Sequence, residues 1–343
     1  MQQPVTDEPD GQASQQRLGA FLNGFFHRKI ISDILALIKV FLGLALLIIS
    51  IRGIKWDNLV ASIHSVDLVW IAVAVSLVIL GISLKFLRWR LFIQNYHLPS
   101  SNSKLFSAYF VGQAVNIIMP FRSGELVRLG YFSREPQVIP AIASTIVIEK
   151  YLDLLALTGC ALFVSIKFSV DNIFNLRGLF LPVSVFLTLL IAAIVLLGPA
   201  AWQRIRSAKL LPKPMIDWLD HWIQASLWLR DPKLVIPCIF VTIHIWVIMW
   251  LTNLVLFTSF GLPLGGTAAG LVLIMVYVGL LPALMPGNIG PFYFFSSLAL
   301  VPFGIAHDHA FTYAVILHAI VTIPPMLAGM VGLSLPSDRV VAS

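Results

Sequence analysis

The sequence predicts an all-α, polytopic integral membrane protein, and three observations predict it. Of 343 residues, 58% are hydrophobic and 11% are charged; mean hydropathy is +0.90; and apolar runs long enough to cross a bilayer recur along the chain. Soluble domains carry about 25% charged residues, so this composition excludes a water-soluble globular chain. A spanning helix needs about 20 mostly apolar residues, and the runs at 33–51, 68–87, 139–166, 178–198, 234–257 and 311–333 qualify. Residues 1–32, polar and Gln-rich, read as a disordered cytosolic tail and 336–343 as a short second tail, which leaves 33–335 as the transmembrane domain.

Charge orients these runs. Lys85, Arg88, Arg90 and Lys104 fall in a segment without acids, and 199–233 holds Arg204, Arg206, Lys209, Lys213, Arg230 and Lys233. Both segments are expected on the cytosolic side, which places the N-terminus there too and the protein in a cytoplasmic (inner) membrane. The net charge of +7 then reports topology and affinity for anionic lipid, with no nucleic-acid partner expected. Within 199–233, Trp218, Leu219, Trp222 and Ile223 share a helical face opposite Asp217, Asp220 and His221, the pattern of an interfacial amphipathic helix.

Two shorter apolar stretches, 105–119 and 267–285, each run into a break. If Lys104 and the stretch Arg122–Arg134 are both cytosolic, 105–119 cannot cross and must enter and return; the alternative counts both stretches as crossings and reaches eight. A re-entrant hairpin survives at membrane depth only where protein or a wet cavity satisfies its freed backbone groups. The pattern M-P-x-x-x-G occurs at both breaks, as Met119-Pro120 with Gly124 and as Met285-Pro286 with Gly290. Broken segments at matching places in two halves point to a site built by inverted repeats. Pro120, Gly124, Pro286, Gly287 and Gly290 are the expected structural breaks.

Ionisable side chains inside a membrane segment must pair, face the bundle interior or touch water. Glu149 and Asp153 share one helical face, with Lys150 about 100° away, and Arg122 and Arg128 beyond the first break are their expected cations. Glu125 and Arg128 form an i, i+3 pair. One reading is a buried ion-pair network that locks the hairpin. The other is a site in which arginine's planar fork holds a phosphate while the acids position it or exchange protons. Asn116 is expected to satisfy freed backbone groups or touch substrate. Lys85, Arg88 and Arg90 read as anchors at a span end, and His307-Asp308-His309 lacks a third ligand for zinc.

No P-loop, GxSxG or HExxH signature occurs in the sequence, so neither an ATP motor nor a familiar hydrolase is expected. The run Gly112, Asn116, Pro120, Arg122, Gly124, Glu125, Arg128, then Glu149-Lys150-x-x-Asp153 and Pro286-Gly287-x-x-Gly290, resembles the transmembrane region of lysylphosphatidylglycerol synthases, a flippase-like group, over about residues 35–333. The resemblance implies re-entrant helices around a lipid-sized cavity that handles anionic or aminoacylated lipids. It puts Arg122, Glu125 and Arg128 by the headgroup, with Glu149 and Asp153 on the facing helix. This chain departs from the family pattern at Tyr293, where many members have an acid, and at His318, where arginine is frequent. The lysyl-transferring domain is absent, so lipid aminoacylation is not expected of this polypeptide.

The expected function is ATP-independent translocation of a polar or anionic lipid, phospholipid or polyprenyl-phosphate-linked, with substrate contacts at Arg122, Glu125, Arg128, Glu149, Lys150, Asp153 and Asn116. No catalysis, cofactor or metal is expected; the partners would be the lipid and envelope-synthesis proteins. A membrane-embedded transferase, or accessory subunit, acting on polyprenyl-phosphate-linked sugars is the alternative, and an envelope scaffold is a third.

Overall fold

The computed structural model describes residues 37–94, 101–119, 123–135, 138–168, 175–207, 212, 213, 216, 220, 231–283 and 285–335. The tails, Pro120, Arg122 and the Trp-rich face of 199–233 lie outside the described residues. Eleven α-helices order the rest: α1 (Leu37–Ile51), α2 (Trp56–His64), α3 (Leu68–Gln94), α4 (Asn102–Ile118), α5 (Gly124–Gly130), α6 (Ile139–Phe168), α7 (Leu176–Ser207), α8 (Pro232–Ser259), α9 (Gly266–Leu280), α10 (Pro291–Leu298) and α11 (His307–Ser334). No strand occurs among the described residues.

Helices occupy all six runs read as spans, and α3, α8 and α11 are each apolar and long enough to cross a membrane. The chain is a multi-pass membrane protein. Three boundaries differ from the expectation, one being the end of the second run, which stays helical to Gln94. The first run ends in an 82° bend into α2, which hydropathy did not separate from a loop. The fourth run does not end near 198 but stays helical to Ser207, where Asp220 returns to pair with Arg206 at 3.2 Å. The bend at α2 is fixed from a distant part of the chain. Asp308 accepts from the Lys55 amide and from Asn58 Nδ2, His309 hydrogen-bonds Ser62, and His307 reaches the Ser50 carbonyl. The His-Asp-His run therefore clamps α11 to α1 and α2.

Local rules explain the breaks. A residue before proline is pushed out of the helical region, and Met119 and Met285, each preceding a proline, are both extended, with ψ of 145° and 153°. Ser101 caps the start of α4 by accepting from the Lys104 amide. At the second break Gly287 and Gly290 have φ of 66° and 92°, a left-handed backbone that glycine adopts without a Cβ penalty. Pro291 then opens α10, where its missing N–H is no loss.

After each break the chain turns back on itself. Gly124 packs against the carbonyl oxygen of Gly112, Arg128 stacks on Tyr109, and Lys104 pairs with Glu135 at 2.9 Å, so α5 runs antiparallel to α4 and both ends of the hairpin meet. In the second half Phe295 of α10 covers Gly279 of α9. The tips of the two hairpins meet where Gly287 approaches the Ile117 carbonyl. Helices α3 and α8 pack antiparallel, as the Asp67 amide to Ser259 carbonyl bond, the Gly81 to Ile248 contact and the Arg88 to Thr242 bond show. Helix α4 packs on α11 through Gly329 and Gly332, while α9 packs on α6 through Gly270 and Val164. Long helix, hairpin and long helix thus occur twice, about 166 residues apart from Gly124 to Gly290, and the leading helices α3 and α8 run in opposite directions.

The close approach of α5 to α4 leaves no room for a methyl group at position 124, and overpacking of this kind costs about 1–3 kcal/mol. We expect Gly124→Ala to lower the melting temperature of detergent-purified protein by several degrees. Gly130→Ala, where a Cβ meets nothing within 4 Å, is expected to leave it unchanged.

Candidate functional site

Between the two hairpins and helices α3, α6, α8 and α11 lies a cavity of about 480 Å³, within the ~300–1,000 Å³ range of ligand sites. Its two halves differ chemically. The first half of the chain contributes Lys85, Glu125, Glu149, Lys150 and Asp153, together with Gln113 and Asn116; the second half contributes Thr252, Asn253, Tyr277, Asn288, His318 and Thr322 among apolar residues, with no carboxylate, lysine or arginine among the described residues.

The charged wall is assembled from four elements. Arg128 of α5 donates to Glu149 of α6 at 2.8 Å, with both side chains 2% exposed. Its guanidinium lies 4.9 Å from the Trp89 ring and 4.6 Å from that of Tyr109, and the Trp89 indole is itself held by Thr145. Aromatic faces compensate part of the charge that burial strips of water. Arg88 of α3, 0% exposed, donates to Asp153 at 2.8 Å and to Thr242 of α8 at 3.0 Å. Lys150, 39% exposed, lies 3.1 Å from Glu125, close enough for an ion pair though misaligned for a hydrogen bond. Asn116 Oδ1 accepts from the Gly124 amide, which satisfies a backbone group freed at the break.

These positions change the reading of individual residues. Arg128 was expected at a headgroup; it is enclosed by Glu149, Trp89 and Tyr109 and does not line the cavity. Asp153 was expected to face Arg122 or Arg128; its partner is Arg88. Arg88 itself was expected to be a span-end anchor, yet α3 continues to Gln94 and encloses it completely. Lys85, also read as an anchor, lines the cavity and donates to Tyr277 at 3.3 Å. A signal for both was available: Ala74, Val78, Gly81, Lys85, Arg88 and Phe92 follow a three-four spacing on one helical face. Glu125, Glu149, Lys150 and Asn116 all border the cavity; Arg122 lies outside the described residues.

The neutral wall has its own polar ties. Tyr313 of α11 donates to Asn253 of α8 at 2.6 Å. His318 bridges the Tyr293 hydroxyl at 3.1 Å and the Gly287 carbonyl at 2.8 Å, so these two residues touch each other and pin the second break.

Breaking a buried ion pair from one side costs about 3–5 kcal/mol, because the remaining charge is left without compensation. Glu149→Gln is therefore expected to cut the yield and melting temperature of folded protein sharply. The double substitution Arg128→Met, Glu149→Leu removes both charges and is expected to recover most of that loss, as fluorescence-detected size exclusion with thermal challenge would read.

No curated protein and no solved structure gave a significant match to the chain. A family model described as the lysylphosphatidylglycerol synthase TM region matches residues 36–329. The chain belongs to that family of membrane proteins.

Proposed function

We propose that the protein moves a polar lipid headgroup across a cytoplasmic membrane without ATP, through the cavity between its hairpins. The observation that carries this reading is the cavity itself: one wall holds lysines and carboxylates while the facing wall is uncharged and largely apolar, which suits a molecule with a charged head and an apolar body. The two antiparallel halves supply the arrangement by which a central site opens to either side in turn. Both hairpins are re-entrant in this reading, and the loops after α3 and α7 face the cytosol, as does the N-terminus. The lipid is a phospholipid or a polyprenyl-phosphate-linked species, the chain itself catalyses no reaction, and partner proteins of envelope synthesis supply or consume the lipid.

Reconstitution tests the reading. Purified protein in ATP-free vesicles is expected to equilibrate acyl-labelled phospholipid between leaflets at least about tenfold faster than protein-free vesicles, with no change in the lipid's mass. A new lipid product on addition of a sugar donor would instead favour the transferase. Re-entrance is tested separately: cysteines at Ser103 and Ser133, near the two ends of the first hairpin, are expected to react with an impermeant maleimide from the same side of oriented membranes. Labelling from opposite sides would overturn the hairpin and favour the eight-crossing topology.

A further inference from the structure

The charged wall does not balance. Among the described residues, each of its three carboxylates holds one cation: Glu149 holds Arg128, Asp153 holds Arg88 and Glu125 faces Lys150. Lys85 is the fourth cation, and no carboxylate lies within ion-pair distance of it; its partner is the neutral Tyr277 hydroxyl, with the Tyr277 ring centroid 6.0 Å away. An ammonium has three N–H donors, and one is used here. Both arginines are enclosed, each is paired with its acid, and neither lines the cavity.

We infer that Lys85 is the residue that binds the ligand's charge, and that the ligand is a phosphodiester lipid with one net negative charge. This assignment rests on the translocation reading of the same cavity. A cation on a partly desolvated wall with no carboxylate in ion-pair reach is costly, and a ligand bringing a single negative charge balances the charges of the described residues. A zwitterionic headgroup leaves them net positive. Tyr277 assists: its hydroxyl proton is turned to the Met249 sulfur at 3.5 Å, a weak acceptor, so reorienting it toward a phosphate oxygen costs little and lets both Lys85 and Tyr277 donate to the same anion. Phosphatidylglycerol-type lipids and polyprenyl-phosphoryl sugars share this phosphodiester.

The test uses full-length protein in phosphatidylcholine vesicles carrying a trace of fluorescent phosphatidylglycerol or of fluorescent phosphatidylcholine, read by quencher accessibility. Wild-type protein is expected to move the phosphatidylglycerol probe faster. Lys85→Gln and Lys85→Met are expected to lower that rate about 10- to 100-fold, as loss of a charge-assisted hydrogen bond predicts, and to abolish the preference for phosphatidylglycerol over phosphatidylcholine. Equal wild-type rates for the two probes, or variants that keep the preference, would overturn the assignment and leave translocation standing. If both variants fail to fold, the wild-type preference alone decides. If neither probe moves faster than in protein-free vesicles, the translocation reading fails, and retention of phosphatidylglycerol by purified protein in native mass spectrometry decides about Lys85: retention lost in Lys85→Gln supports it, equal retention overturns it. Displacement of the lipid from wild-type protein by excess inorganic phosphate would make free phosphate the ligand and overturn the lipid assignment.

Discussion

The structure depends on one constraint: a chain that reverses direction inside an apolar bundle must satisfy the backbone groups it frees and must bring two helices close enough to exclude lipid. Gly112 and Gly124 meet the second demand, because a side chain at position 124 would collide with the facing carbonyl. Asn116 meets the first by accepting from the Gly124 amide. With α5 laid along α4, Arg128 sits over Trp89 and Tyr109 and opposite Glu149, and α3, α4, α5 and α6 are joined through a single guanidinium. The cavity wall is what remains on the inner side of that junction.

Desolvation makes the junction specific. A buried ion pair adds little net stability over a well-packed apolar pair, yet removing one partner is severe. The Arg88–Asp153 and Arg128–Glu149 pairs therefore discriminate among arrangements more than they add stability: any shift of α5 or α6 by a helical turn strands two charges in an apolar setting. A rigid wall of this kind also keeps Glu149 and Asp153 from competing with an anionic ligand for a cation, because each is already engaged.

How far the sequence revealed this can be judged residue by residue. The breaks were legible because proline acts on its immediate neighbour: Met119 and Met285 are extended for a purely local reason. The positions of the long apolar helices were legible because hydropathy is summed over a whole helix. The pairing of charges was not, since it depends on which helices adjoin. Arg88 and Asp153 are 65 residues apart, and a cationic cluster near a span end looks the same whether it reaches outward to headgroups or inward to an acid. Only the three-four spacing of the α3 face, continued past Arg88 to Phe92, distinguished the two. The bend between α1 and α2 was equally hidden, because Asp308 and its flanking histidines fix it from more than 240 residues away.

The two halves share a backbone plan but not a chemistry, and the difference bears on mechanism. Where the first half joins its spanning helices with Arg88 and Asp153, the second uses Asn253 and Tyr313; where the first holds its hairpin with Arg128 and Glu149, the second uses Tyr293 and His318. Neutral hydrogen bonds can be exchanged for water or for a neighbour at much smaller cost than a buried ion pair. If the halves rock against each other, the charged half is thus the stiffer member and the neutral half the one that rearranges. The break at Gly287 and Gly290, held by a histidine to a carbonyl, is the natural place for that rearrangement to begin, and in the proposed translocation the headgroup would rest against the stiffer, charged wall.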